Sequence, residues 1–273
     1  MADRYYFLSE TLWASPTELL LFGGSLFLII FLRYLLLSGM YEWLTRTSQR
    51  KRSPVLHRQF MREVGWSLLS SLMFTALSVL TFYCYQKGLT KVYTETAEYG
   101  VLFLIGSVAL YLVLYETYYY WLHRLMHRPH IFRIVHKVHH ESMDTSAFTS
   151  FSFHPFEAFL QFIFLPVMVF IIPIHVVGLA AILLFMTVSA IVNHAGIEIY
   201  PKRFYNHPLG RWLIGSSHHD LHHKEFKTNF GLYFTFWDKW MRTESDRYPR
   251  HFDEKTLNRS RSQHHPSTDG RRR

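Results

Sequence analysis

The 273-residue chain is 49% hydrophobic and 18% aromatic, and its 29 Lys and Arg outnumber 20 Asp and Glu for a formal net charge of +9. That is too apolar for an ordinary soluble domain and points to a membrane, while a lone Cys84 inside an apolar run excludes a disulfide framework and a cysteine metal site. The basic residues flank the apolar runs, where they report orientation and attraction to anionic lipid rather than nucleic-acid binding.

In chain order, the first apolar run, residues 19–37 with Arg33 near its end, starts too late and is too long for a secretory signal, so a retained anchor is expected. Runs at 68–85 and 101–122 each suit one crossing of a ~30 Å hydrocarbon layer. The run at 156–192 is about twice that length and is broken by Pro166 and Pro173, which predicts a hairpin of two helices or a re-entrant pair. Arg46, Arg50, Lys51, Arg52, Arg58 and Arg62, against Glu42 and Glu63, place the connection after the first run in the cytoplasm. Counting forward, the third run returns to the cytoplasm at His123, and a two-helix hairpin leaves everything from His194 onward on that side. No solenoid repeat or interdomain linker is present, so one domain is expected over 1–256. Residues 257–273 read as a disordered basic tail in which His264 and His265 are a solvated pair.

Around the third run, YETYYYWLHRLMHRPH gathers Tyr115, Tyr118, Tyr119, Tyr120 and Trp121 where a helix crosses the headgroup layer. That helix is expected to continue to Arg128 and stop at Pro129. It carries His123 and His127, four apart on one face; His136, His139 and His140 follow at i, i+3, i+4, and His219, His222 and His223 repeat that spacing. His194 ends the last apolar run.

For any one histidine, an interfacial or hydrogen-bonded role suffices. Two copies of H-x-x-H-H and one H-x-x-x-H on one side of a membrane have no packing rationale, because imidazoles buried at that density need partners. Metal supplies them, and eight or nine imidazoles suit two ions rather than one. Imidazole suits zinc, iron, copper and nickel. A zinc protease of the H-E-x-x-H kind is not matched, since His140-Glu141 is followed by Asp144. A transporter would carry its ligands within the spans. An iron pair just below the lipid surface suits O2-dependent oxidation of an acyl chain or sterol. Zinc-dependent hydrolysis and a metal-sensing or metal-storing surface stand as rivals.

Supporting residues follow from spacing. Glu116, two turns before His123, either accepts the second N–H of a ligand imidazole or reaches toward the interface. Asp144 and Asp220 are weaker versions of the same case. His218 breaks the repeated spacing and is expected at most to support its neighbour His219.

The order HRLMH, HKVHH, apolar hairpin, NH, HHDLHH resembles the fatty acid hydroxylase and sterol desaturase superfamily of membrane di-iron oxygenases, over roughly residues 112–243. SFSFHPFEAFLQ and NFGLYFTFWDKW are similar to its sterol C5-desaturase branch. The resemblance implies an all-α integral membrane protein with about five transmembrane or hairpin helices and a cytoplasmic helical cap carrying a dinuclear metal site. It implies iron ligands at His123, His127, His136, His139, His140, His219, His222 and His223, with His194 as the extra histidine before the last box. Glu116 falls where members commonly carry an acid, and His154 is expected beside the substrate or the ligands, with helix capping as its ordinary role. Many members have Gly soon after the Trp-Asp pair, where this chain has Lys239, Trp240, Met241 and Arg242.

The implied activity is O2-dependent desaturation or hydroxylation of a membrane lipid, sterol-like in the first reading and a fatty acid or carotenoid in the alternative. The implied cofactors are two Fe ions with O2 as co-substrate. The chain has no nucleotide fingerprint or haem motif, so its electrons would come from an external donor such as cytochrome b5 or a ferredoxin. The basic face suits an acidic carrier or anionic lipid equally. The membrane would be the endoplasmic reticulum in a eukaryote or the inner (cell) membrane in a bacterium.

Overall fold

The computed structural model describes residues 15–45 and 54–264. Helix α1 (Pro16–Thr45) opens with Pro at its first position, and Ser15 Oγ accepts from Glu18 N at 3.3 Å, which meets one of the donors a helix start leaves over. After α2 (Pro54–Gln86), a short connection carries β1 (Val92–Tyr93) into α3 (Gly100–Met126). Pro129 starts a new helical turn, as expected of the stop, and a π-helical stretch, Phe132–His136, runs into α4 (Lys137–His140). A 3-10 turn, Ala147–Phe151, precedes α5 (Pro155–Phe162) and α6 (Phe164–Ile171). Strand β2 (Ile174–His175) leads into α7 (Val176–His194). The polar end of the chain forms α8 (Ser216–Glu225), α9 (Phe236–Trp240) and α10 (Tyr248–His264).

Of these, α1, α2, α3 and α7 are long and apolar enough to cross a membrane. Large apolar side chains cover their outer faces: Leu20, Leu36, Leu102 and Ile105 are all exposed, as lipid-facing positions are when no bilayer surrounds them. The long fourth run therefore does not form two full-length helices. Its first half is split into two eight-residue helices, α5 and α6, and only its second half, α7, has the length of a span.

The two-residue strands show where that split pair ends. β1 and β2 pair in parallel, Val92 with Ile174 and Tyr93 with His175, so the turn at Pro173 meets the α2–α3 connection. The histidines lie at the other end of α3 and α7. The α5–α6 pair thus reaches the end of the bundle remote from the histidines, as a hairpin arm does. Beneath that turn, Tyr111 packs with Leu165, Val169, Ile174 and Ile182 and donates to Ile172 O at 2.8 Å.

A second packing centre, Tyr34, Phe74, Phe151, Phe153 and Ala158, joins α1 and α2 to the segment after α4. Polar atoms within it are met: Tyr34 donates to Phe148 O, Ser38 to Ala147 O and Ser70 to Phe153 O. Glu63 on α2 is buried and accepts from Gln59, Ser146 and Thr149, which ties the same segment down from its other side.

At the chain's end, Tyr248 and Phe252 of α10 pack on Leu221 of α8. Helix α10 runs through His264, so the residues expected to begin a disordered tail continue a helix in their first part. His265 and the rest of the tail, and Arg46, Arg50, Lys51 and Arg52 in the connection after α1, lie outside the described residues.

Candidate metal centre

Nine histidines converge at one end of the bundle in two groups whose ligand atoms lie within 4.8 Å of one another. The first group holds His123, His127, His136, His140 and His222; the second holds His139, His194, His219 and His223. Helical geometry explains the division. In each H-x-x-H-H box the i, i+4 pair (His136 with His140, His219 with His223) stays together, and the intervening member (His139, His222) crosses to the other group. The groups adjoin, with the His140 ring 4.6 Å from that of His223 and the His136 ring 5.4 Å from that of His139.

Ring orientation follows from the acceptors beyond the rings. His123 Nδ1–H donates to Phe230 O (2.8 Å), His222 Nδ1–H to Thr228 O (2.8 Å), His194 Nδ1–H to Ala190 O (2.7 Å) and His139 Nδ1–H to Ser152 O (3.2 Å). A carbonyl only accepts, so each of these rings carries its proton on Nδ1 and presents a bare Nε2 lone pair inward. His136 Nδ1–H donates to the buried carboxylate of Glu157 at 2.7 Å.

The inward nitrogens then face one another. His123 Nε2 and His136 Nε2 are 3.0 Å apart, and His139 Nε2 and His194 Nε2 are 3.1 Å apart, both at hydrogen-bond distance with no proton between them. Opposed lone pairs in a dry site repel unless a cation lies between them, and the donor set, neutral imidazole throughout, suits a transition metal. The residues present therefore fit metal ions, one to a group.

Burial pushes His136, His139, His140, His219 and His223 well below the ordinary imidazole value, and lowers His222 to about 3. At neutral pH these rings are uncharged, the form that ligates.

The framework around the rings is largely carboxylate-built. Glu116 is fully buried, but touches no imidazole: it accepts from Leu232 N (3.0 Å) and Tyr233 N (2.7 Å). Its effect on His123 passes through the backbone, by holding the strand-like segment whose Phe230 carbonyl receives His123 Nδ1–H. Asp238 holds the start of that segment, accepting from Phe230 N (2.9 Å) and Gly231 N (2.8 Å). The turn after it closes with Arg242 at φ 55, so arginine takes a left-handed position there. Glu198 accepts from Ser217 N at 2.9 Å at the start of α8, and a Cβ at Gly215 would lie 2.8 Å from that carboxylate.

The remaining expectations divide. Asp144 is exposed, and among the described residues only its backbone carbonyl is engaged, by Gln59. Asp220 faces away from the rings, toward Lys224, His251 and Lys255. Its burial favours the acid form, yet the His251 hydrogen bond and the two lysines outweigh that and hold the carboxyl well below its usual range. His154 caps α5, its Nδ1 accepting from Phe156 N at 3.3 Å, and rests against Trp66. His218 is buried edge-on to Tyr248, with Asp238 Oδ2 3.8 Å from its Nε2, and joins neither group. Glu157 and Glu198 were missed. For Glu157 the signal was available, an acid inside the apolar stretch HPFEAFLQF.

Beside His194 a mainly apolar cavity opens among the long helices, with Phe74, Tyr115, Phe151, Met186 and Tyr233 in its walls. Helices apolar enough to cross a membrane, bearing at one end two histidine groups able to hold metal, define a membrane-embedded histidine-cluster protein. Residues 108–243 match the fatty acid hydroxylase family. Lathosterol oxidase of Homo sapiens is 27% identical over 248 residues, covering 88% of this chain and 81% of the relative. Lathosterol oxidase of Rattus norvegicus is 30% identical over 201 residues, 73% of this chain and 66% of the relative. A Delta(7)-sterol 5(6)-desaturase of Gibberella zeae is 30% identical over 185 residues, so the chain spans only 56% of that relative's length. No solved structure matches significantly. The chain belongs to the fatty acid hydroxylase family of oxidoreductases, and its curated relatives are of the sterol C5-desaturase branch.

Proposed function

We propose that this chain is an O2-dependent di-iron oxidase that desaturates or hydroxylates a membrane lipid of the sterol class. The observation that carries this reading is the pair of adjoining groups of neutral imidazoles, lone pairs inward, at the head of an apolar cavity between membrane-length helices. Bound iron would supply the oxidising power toward an unactivated C–H bond that no side chain supplies alone. The names of the relatives support a sterol.

Five imidazoles in the first group exceed the four ligands that a structural zinc takes, which favours iron over a structural zinc.

The protein's own part is to hold and orient. Carbonyls and Glu157 fix the rings, and the aromatic walls around His194 exclude water and align the lipid. Two electrons per O2 come from an external carrier of the cytochrome b5 or ferredoxin kind. Exposed Arg128, Arg133 and Lys137 suit an acidic partner and lie beside His127, the one ring of the nine that is not fully buried. The basic end faces the cytoplasm, of the endoplasmic reticulum or of a bacterial inner membrane.

The test is to express the chain and profile cellular sterols, fatty acids and carotenoids beside His139→Ala. A new oxidised sterol that requires O2 and vanishes in the variant, with expression little changed, is expected; oxidation persisting in the variant would refute the assignment.

A further inference from the structure

A cation stands in the wall of the apolar cavity. Arg33 lies about three turns before the end of α1, inside a segment of membrane-spanning character. Its position is fixed by its neighbours, because fully buried Tyr34 donates to Phe148 O (2.8 Å) and Ser38, one turn on, donates to Ala147 O (3.1 Å). These bonds clamp α1 against the turn Ala147–Phe151 and leave Arg33 lining the cavity with Ser150, Thr187 and His194. Its Nε is buried without a hydrogen-bond partner, and among the described residues no carboxylate or carbonyl accepts from the guanidinium.

A guanidinium at membrane depth is costly, and such residues face a partner or a polar ligand. The other cavity walls are largely aromatic and aliphatic, so they hold a lipid body but do not select its orientation. A fork of N–H donors selects an oxygen acceptor. We infer that Arg33 receives the polar oxygen of the lipid substrate, the ring hydroxyl of a sterol, and thereby sets which carbon comes to rest beside His194. This rests on the sterol reading above. Arg33 is a specificity-determining residue in this account: it takes no part in the oxidation itself.

The test is equilibrium binding of radiolabelled probes to the purified full chain in detergent, which needs no turnover. The probes are a Δ7-sterol, the same sterol lacking its ring hydroxyl, and palmitate. The wild-type protein is expected to bind the hydroxylated sterol about ten- to a hundredfold more tightly than the deoxy form, the range for a hydrogen bond to a charged group. Arg33→Met should bring the hydroxylated sterol down to the deoxy level while leaving deoxy binding unchanged, which also shows that the cavity is intact; Arg33→Lys should keep part of the preference. Equal binding of the two sterols by the wild-type protein overturns the inference without needing any variant, and so does a preference that survives in Arg33→Met. If palmitate binds, neither sterol does, and Arg33→Met abolishes palmitate binding, the anchoring role stands with a carboxylate as its oxygen and the sterol reading falls. If sterol is oxidised but both sterols bind alike, the sterol reading stands and the anchoring role falls.

Discussion

His136 and Glu157 are both sealed from solvent, each 0% exposed, and joined by a 2.7 Å hydrogen bond. Gln161 Nε2 donates to the same carboxylate oxygen at 2.9 Å, so the acceptor is held from two sides. A carboxylate behind a ligand imidazole fixes its tautomer and raises its basicity, and loss of such a partner costs roughly 10- to 100-fold in metal affinity, about 1.4 to 2.8 kcal/mol. Glu157→Gln keeps the volume and one acceptor but removes the charge, and should fall at the mild end. Glu157→Ala strands the His136 N–H in a dry site and should fall at the severe end. The assay is iron retained by purified protein against a chelator of known affinity, with thermal unfolding followed in parallel. Iron held by folded Glu157→Ala as tightly as by the wild type would refute the reasoning.

Two further outcomes follow from the same framework. Glu116→Ala leaves the Leu232 and Tyr233 amides buried and unmet, at about 1 to 3 kcal/mol each, so the unfolding temperature in detergent should drop clearly. Glu116→Gln, whose side chain has only one carbonyl oxygen to offer, should recover part of the loss; an unchanged unfolding temperature in Glu116→Ala would contradict the role given to this carboxylate. Acidification should destabilise the iron-free protein: below about pH 6.5 the unfolded chain gains imidazole protons that the buried rings refuse, costing up to about 1.4 kcal/mol per pH unit per ring. For His222 that loss accumulates down to its lowered value of about 3, so an unfolding temperature that stays level or rises from about pH 8 to pH 5 would count against it.

The box histidines were legible because metal ligation imposes a spacing that local helical geometry preserves, and the apolar runs because lipid imposes a length. Which rings share an ion was not legible. The π-helical turn Phe132–His136 leads into the second box and ends on its first histidine, and local sequence does not announce where such a turn falls. Nor were the long-range partners. Glu116 was placed by helical phase near His123, but the amides it binds come from residues 232 and 233, and the acceptor for His123 is the backbone of Phe230. Asp220 sits within a box and still faces outward, because α10 brings His251 and Lys255 to its other side. Reading the apolar hairpin from hydropathy found its turn at Pro173; the division into α5 and α6 falls at Phe162, whose carbonyl, four residues before Pro166, is the one whose helical hydrogen bond that proline removes. Glu157 could have been suspected on the cost of an acid in an apolar run alone.

The central claim is that the two histidine groups each hold an iron. Elemental analysis of the purified full chain after iron-replete expression tests it directly. Two irons per chain are predicted; a chain that carries zinc in their place, or that takes up one ion or none, would contradict the account.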